Sequence, residues 1–170
     1  DLRKDLEARR RFDRESYIIA RLNHPNIIHV IDRGISPDEM PYFVMEYVEG
    51  IDLSTASKIG EITHQDKIDI VIQVLKALSY AHQNNVIHRD IKPDNILIDD
   101  DGTVKILDFG IAQFYGGETA PSDQTRIGTV MGTYNYMSPE QRDSSDNVTA
   151  KSDLYSVGVV MYELLTGKIP

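Results

Sequence analysis

A hairpin signal set between two apolar helical repeats constrains this chain more than any other feature. Residues 95–98 and 103–107 flank Asp99-Asp100-Asp101-Gly102, where the aspartates suit Asx turns and Gly supplies the positive φ of a tight reversal. Upstream, Thr63 and Asp66 have capping-box spacing, and Ile68, Val71, Ile72, Leu75, Leu78 and His82 recur behind them at helical intervals. Downstream, residues 152–166 form a second apolar repeat, stopped by Gly167 with Pro170 beyond it. Residues 27–31 and 42–47 read as two strands joined by the turn-rich stretch 32–38, and Glu49-Gly50 closes that section. Ahead of them, Leu6, Phe12, Ile18, Ile19 and Leu22, with Glu7/Arg11 and Arg11/Glu15 as i,i+4 pairs, predict a helix ending near Asn23-His24-Pro25. Residues 111–137, rich in Gly, Ser, Thr and Tyr, read as a long loop, of the kind that is functional or disordered. Helix, two strands, then helices around one hairpin is an α+β order and not a βαβ alternation.

Composition narrows the function classes. At 170 residues and 41% apolar content the chain suffices for one core. Lys+Arg 18 against Asp+Glu 27 leaves a net charge of −9, which disfavours binding nucleic acid through bulk charge. The absence of cysteine excludes disulfides, thiolate metal sites and a cysteine nucleophile, and fits a reducing, cytoplasmic compartment. The most apolar stretch, residues 157–165, contains Glu163 and falls short of the roughly 18–20 residues a bilayer needs, so no membrane contact is expected from this segment. The 5 histidines show no HxxxH or HExxH spacing, which argues against zinc.

The chemistry sits between the two strong helices. There the chain reads His88-Arg89-Asp90-Ile91-Lys92-Pro93-Asp94-Asn95, and 13 residues after Asn95 comes Asp108-Phe109-Gly110. Phosphoryl transfer needs a carboxylate at the attacking hydroxyl, oxygen ligands for a metal on the phosphates, and a cation against developing charge. Asp90, Asn95, Asp108 and Lys92 supply those kinds of group. The hairpin folds Asp108 back toward Asn95, and Mg²⁺ favours such oxygen ligands together with water and phosphate. With Ser138-Pro139-Glu140 in the place of an APE element, the set resembles the protein kinases through their HRDxKPxN, DFG and APE motifs.

That resemblance implies ATP and Mg²⁺ as cofactors and assigns roles position by position. Asp90 becomes the catalytic base or hydroxyl aligner, Lys92 a contact of the γ-phosphate, and Asn95 and Asp108 the Mg²⁺ ligands. Thr133, in Gly132-Thr133-Tyr134, matches the threonine that bridges the catalytic Asp and Lys, and together with Lys92 it points to Ser/Thr acceptors on protein substrates. Residues 43–50 resemble the strand and hinge that hold adenine. Met45 would be the gatekeeper, the backbones of Glu46 and Val48 would pair with the base, Leu97 would form the floor, and Asp52 would meet the ribose. Glu15 matches the glutamate that pairs with the phosphate-gripping strand lysine. His88, with Phe109, Ile19 and Val30, belongs by the same match to a structural stack, and Asp153 to a brace under the catalytic loop. Arg89, directly before Asp90, implies ordering by phosphate on Thr125 or Thr129, acquired by autophosphorylation in trans, with Ser122 a weaker acceptor; Gln113 stands where many relatives have a basic residue, and Arg11 is placed to compensate.

The implied fold is a two-lobe protein-kinase fold, truncated: residues 1–47 as a remnant of the β-rich lobe, 48–52 as hinge, and 53–170 as part of the helical lobe, with an activation segment over 108–140. It spans the family's helix C to helix F and is similar in phrasing to the bacterial, eukaryotic-like Ser/Thr kinases. Neither a Gly-rich loop nor a strand lysine precedes the first helix, so the 170 residues read as a piece of a longer gene product. They are expected to bind ATP poorly and to transfer phosphate negligibly by themselves. Residues 1–47 are expected to be marginal, and the two helices firm. A pseudokinase or scaffold that keeps the fold as a binding module is the alternative, and a small-molecule kinase a third reading.

Overall fold

The computed structural model describes residues 19–37, 41–60, 62–109, 134–143 and 147–170. The expected first helix falls almost wholly outside them, as do Glu15, Arg11 and the segment carrying Gln113, Ser122, Thr125, Thr129 and Thr133. In chain order the elements are β1 (Val30–Ile35), β2 (Pro41–Met45), β3 (Gly50–Asp52), α1 (Leu53–Ile59), α2 (His64–Gln83), a 3₁₀ turn (Pro93–Asn95), β4 (Ile96–Asp99), β5 (Val104–Ile106), α3 (Pro139–Asp143) and α4 (Ala150–Thr166). None of the described helices is long and apolar enough to cross a membrane.

The two long helices start and stop where their side chains can satisfy loose backbone groups. Thr63 accepts from the Asp66 amide while the Asp66 carboxylate accepts from the Thr63 amide, the reciprocal box its spacing predicts. Thr149 and Ser152 make a second such box at the start of α4, two residues earlier than the sequence suggests. Gly167 ends α4 in the left-handed region at φ 71°, its N–H donating to the Glu163 carbonyl at 2.7 Å. The buried stripe of α2 is Ile70, Val71, Val74, Ala77, Leu78 and Ala81, and it lies against α4 and β5. Ile68, Ile72 and Leu75, expected in that stripe, are instead 38–42% exposed. Small Ala77 and Ala81 sit on the packed side, where they permit close approach of the neighbouring backbone, so the true stripe is rotated from the one the larger residues mark.

The strands among the described residues form two sheets. β1 and β2 pair antiparallel with an irregularity between Val30 and Asp32, so the first strand starts later than the run 27–31 and takes in residues expected as loop. Alternation puts Phe43 against the core and leaves Tyr42 and Val44 exposed on the other face. Residues 50–52, expected only to close the strand section, form β3 and pair with β4, which pairs in turn with β5 as the predicted hairpin. Gly50 is required there: a Cβ would come within 2.3 Å of the Ile98 carbonyl oxygen and 2.9 Å of the Asp99 Cα. Helix α1 was not visible in the pattern; Asp52 caps it through Thr55 N and Thr55 Oγ1, both at 2.8 Å. The segment before β1 is stitched to the hairpin by Ile28 N donating to Ile106 O and Ile106 N donating to Asn26 O, each at 3.0 Å.

Candidate active site

The loop between α2 and β4 is held from beneath by one buried carboxylate. Asp153, 1% exposed, opens α4 and accepts from the backbone N–H of His88 at 2.9 Å and of Arg89 at 2.8 Å. His82, in the last turn of α2, places Nε2 2.7 Å from the Asp153 Oδ2. Arg89 occupies the left-handed region at φ 71°, a conformation costing about 1–3 kcal/mol for such a residue. Both of its peptide groups are pinned, the N–H by Asp153 and the carbonyl by the Gln141 Nε2 at 2.7 Å. The brace expected of Asp153 is thus present in the geometry, and Gln141 and His82 are partners that sequence reasoning missed. His82 left a signal, falling on the interior side of the helical repeat; Gln141, three residues after Ser138, left none.

His88 joins the two halves of the site. Fully buried, its ring packs edge-on against Phe109 with centroids 4.6 Å apart. Its Nδ1 accepts from the Asp90 N–H at 3.2 Å and its Nε2 donates to the Leu107 carbonyl at 2.6 Å. Burial holds the imidazole below its ordinary basicity, against the opposing pull of Asp153, the Leu107 carbonyl, Asp90 and Asp108. Ile19, Val30 and Phe109 are all buried in the hydrophobic core, where only the His88–Phe109 pair has the ring contact given above.

On this frame stand the side chains singled out for chemistry. Lys92 Nζ lies 2.8 Å from Asp90 Oδ2, with both side chains a little under a fifth exposed. Asn95 is buried at the end of the 3₁₀ turn and donates Nδ2 to the Asp90 carbonyl at 2.8 Å and to Asp90 Oδ2 at 3.0 Å. The Leu107 amide donates to the Asn95 carbonyl at 2.9 Å, which sets Asp108, at φ 58°, next to the loop. Asp90, Lys92 and Asn95 therefore share one hydrogen-bond network, and Asp108 directly follows Leu107, whose backbone is bonded to Asn95 and to His88.

The expected hinge lies between β2 and β3. Met45 ends β2 opposite Val30, residues 46–49 carry no regular structure, and Val48 is half-buried among them. The Glu46 side chain is tied to Lys105 Nζ at 2.7 Å and to the His29 N–H at 2.8 Å, and its own N–H donates to the His29 carbonyl at 2.9 Å. Burial acts to raise its pKa, but Lys105 and the His29 N–H outweigh it and hold the carboxyl below its usual range. Leu97 in β4 faces Asp52 on one side and Lys105 on the other, so β3 and the β4–β5 hairpin form one sheet. The Asp52 carboxylate serves as the α1 cap. Glu140 accepts from the Ser152 hydroxyl at 2.6 Å.

Comparison with known proteins agrees with this arrangement. The family model described as the protein kinase domain matches residues 2–170. The serine/threonine-protein kinase PrkC of Bacillus subtilis is 44% identical over 173 residues, covering 100% of this chain and 26% of that protein. The serine/threonine-protein kinases PknB of Mycobacterium leprae and Mycobacterium tuberculosis are 44% and 42% identical over 174 residues, covering 100% of this chain and 27% of each relative. The chain thus spans about a quarter of the length of the curated relatives it matches. With the loop network, the hairpin and these matches in agreement, the chain belongs to the protein kinase family and, within it, to the serine/threonine protein kinases.

Proposed function

We propose that the gene product transfers the γ-phosphate of ATP to Ser and Thr hydroxyls of protein substrates, with Asp90, Lys92, Asn95 and Asp108 as its reacting-centre residues. The observation that carries this reading is the sharing of Asp90 Oδ2 between Lys92 Nζ and Asn95 Nδ2. Those two donors aim the Asp90 carboxylate, so that it is positioned to align a substrate hydroxyl and take up its proton. The donor set suits Mg²⁺. Asn95 commits Nδ2 to Asp90, which leaves Oδ1 as its remaining acceptor, and Asp108 adds a carboxylate on the neighbouring strand end. Mg²⁺ is held by few protein oxygens of this kind, and the nucleotide's phosphates and water complete its shell. When bound, Mg·ATP supplies the transferable phosphoryl group and neutralises charge on its phosphates. Lys92 adds a positive charge beside Asp90 as charge shifts toward the leaving oxygen.

The domain division follows the same reading, with residues 1–47 in the small lobe, 48–52 as hinge, 53–170 in the helical lobe and 108–140 as activation segment. Met45, the backbones of Glu46 and Val48, and Leu97 would take adenine, and Asp52 the ribose. Glu15 would support a phosphate-binding lysine, Thr133 would bridge Asp90 and Lys92, and Thr125 or Thr129 would carry an activating phosphate placed by a second copy. Measurement of γ-phosphate transfer to a Ser/Thr protein substrate by the full gene product tests the proposal. The Asp90→Asn variant is expected to lose about 10²–10⁴-fold in rate with its fold intact. Equal rates for the two proteins would refute it.

A further inference from the structure

Helix α3 carries a cation that the proposed chemistry does not use. Arg142, in its last turn, is exposed, and the guanidinium lies over the ring of Tyr134 with Cζ 5.1 Å from the ring centroid. Tyr134 is itself 50% exposed, so neither side chain serves to fill the core. Among the described residues Arg142 forms no ion pair, not even with the adjacent Asp143. Stacking engages the face of a guanidinium and leaves its N–H edge to other partners, and that planar edge matches a carboxylate two bonds at a time.

The backbone under this cation is fixed in relation to Asp90. Gln141, the residue before Arg142, donates Nε2 to the carbonyl of Arg89 at 2.7 Å, and that carbonyl belongs to the peptide bond leading into Asp90. The oxygen of the same Gln141 amide accepts from the backbone N–H and from the hydroxyl of Ser138, both at 3.1 Å, which holds the side chain at its two ends. Glu140 ties α3 to α4 through the Ser152 hydroxyl at 2.6 Å. Tyr134 is anchored two residues further on, where Tyr136 donates its hydroxyl to Glu163 at 2.6 Å and its carbonyl accepts from the Ser156 hydroxyl at 2.7 Å. The Arg142–Tyr134 pair therefore stands on pinned backbone beside the loop that presents Asp90, and a bound segment has little of it left to order.

We propose that Arg142, stacked on Tyr134, selects acceptor segments that carry an Asp or Glu side chain within about four residues of the Ser or Thr that meets Asp90. The proposal rests on the Ser/Thr-kinase reading above and narrows its acceptors to an acidic class. An extended chain advances about 3.3–3.6 Å per residue, so an acceptor hydroxyl at Asp90 carries its neighbouring side chains past α3 within that span. The chain's net charge of −9 means that its surface as a whole repels an acidic segment, and discrimination falls to a local cation such as this one.

Peptides with a single Thr in an alanine background, carrying one Glu, one Lys or one phosphoserine at each of about four positions on either side, test the proposal as substrates of the full gene product. Selectivity is read as a ratio of kcat/KM values within each protein, so a general loss of activity or fold in a variant cancels. The unaltered protein is expected to favour Glu over Lys by at least about fivefold at a single position or an adjacent pair, chiefly through KM. Arg142→Glu is expected to reverse that preference at the same position, Arg142→Lys to keep its sign, and Tyr134→Ala to weaken it. Phosphoserine exceeding Glu there by more than about tenfold would assign the site to a phosphorylated segment and overturn the carboxylate class. A profile that Arg142→Glu leaves unchanged would overturn the proposal while the kinase reading stands. Failure of the unaltered protein to phosphorylate any of these peptides or any protein substrate would overturn both.

Discussion

Only a neutral imidazole satisfies both neighbours of His88, because the Asp90 N–H needs an acceptor at Nδ1 while the Leu107 carbonyl needs a donor at Nε2. A second ring proton would set N–H against N–H at the base of the 88–95 loop. The folded protein therefore resists protonation of His88, whose pKa burial lowers from 6.5, whereas the unfolded chain takes the proton freely. Stability is thus fully present above pH 6.5 and falls as the pH drops toward the lowered folded value, at up to about 1.4 kcal/mol per pH unit for this one group. His24, also shifted downward by burial and by Lys76, acts in the same direction. Urea midpoints measured between pH 7.5 and 5.5 should show this decline, and His88→Phe should flatten it to the His24 part. At this scale the sequence was informative about identity and silent about geometry. The kinase motifs at residues 88–95 and 108–110 were legible because each is a short local string in the sequence. The left-handed backbone of Arg89 and its clamp by Gln141 were not, because a bond across 52 positions leaves no local pattern.

At the scale of elements, α4 braces the loop through a single side chain. Removing it in Asp153→Ala leaves two buried N–H groups, those of His88 and Arg89, without acceptors, at about 1–3 kcal/mol each. Faster hydrogen exchange at the amides of residues 88–90, with α2 amides unchanged relative to the global stability, is the expected signature. Gly50 tests the β3–β4 contact in the same way. Gly50→Ala drives a methyl into the Ile98 carbonyl and should cost about 1–3 kcal/mol in denaturant unfolding. The capping box of α2 and the β4–β5 turn were readable because their determinants sit within four residues of each other. β3 escaped notice, since its three residues become a strand only by pairing with β4. The buried face of α2 was misplaced for a related reason: alanines that permit close helix contact carry little hydrophobic signal.

For the whole molecule, the firm core and the exposed sheet differ in what covers them. α2 packs its Val71, Val74 and Leu78 face against α4 and β5, whereas the outer face of β1 and β2 leaves Ile31, Tyr42 and Val44 in water. Leu78→Ala should cost about 2–5 kcal/mol in denaturant unfolding, as for a fully buried leucine. In the 170-residue chain, amides of β1 and β2 should exchange well before those of α2 and α4, because a two-stranded ribbon is marginal by itself. The α+β class was legible from element order, and family membership came from motifs joined across the hairpin. The central claim is that Asn95 and Asp108 serve a metal–nucleotide complex beside Asp90. Its most direct test is Mg²⁺-dependent ATP affinity measured alongside phosphate transfer in the full gene product. Asp108→Asn should lose Mg²⁺-dependent affinity and transfer together, and Asp90→Asn should keep the affinity and lose the transfer. An Asp108→Asn protein that binds Mg·ATP and transfers phosphate like the unaltered one would contradict it.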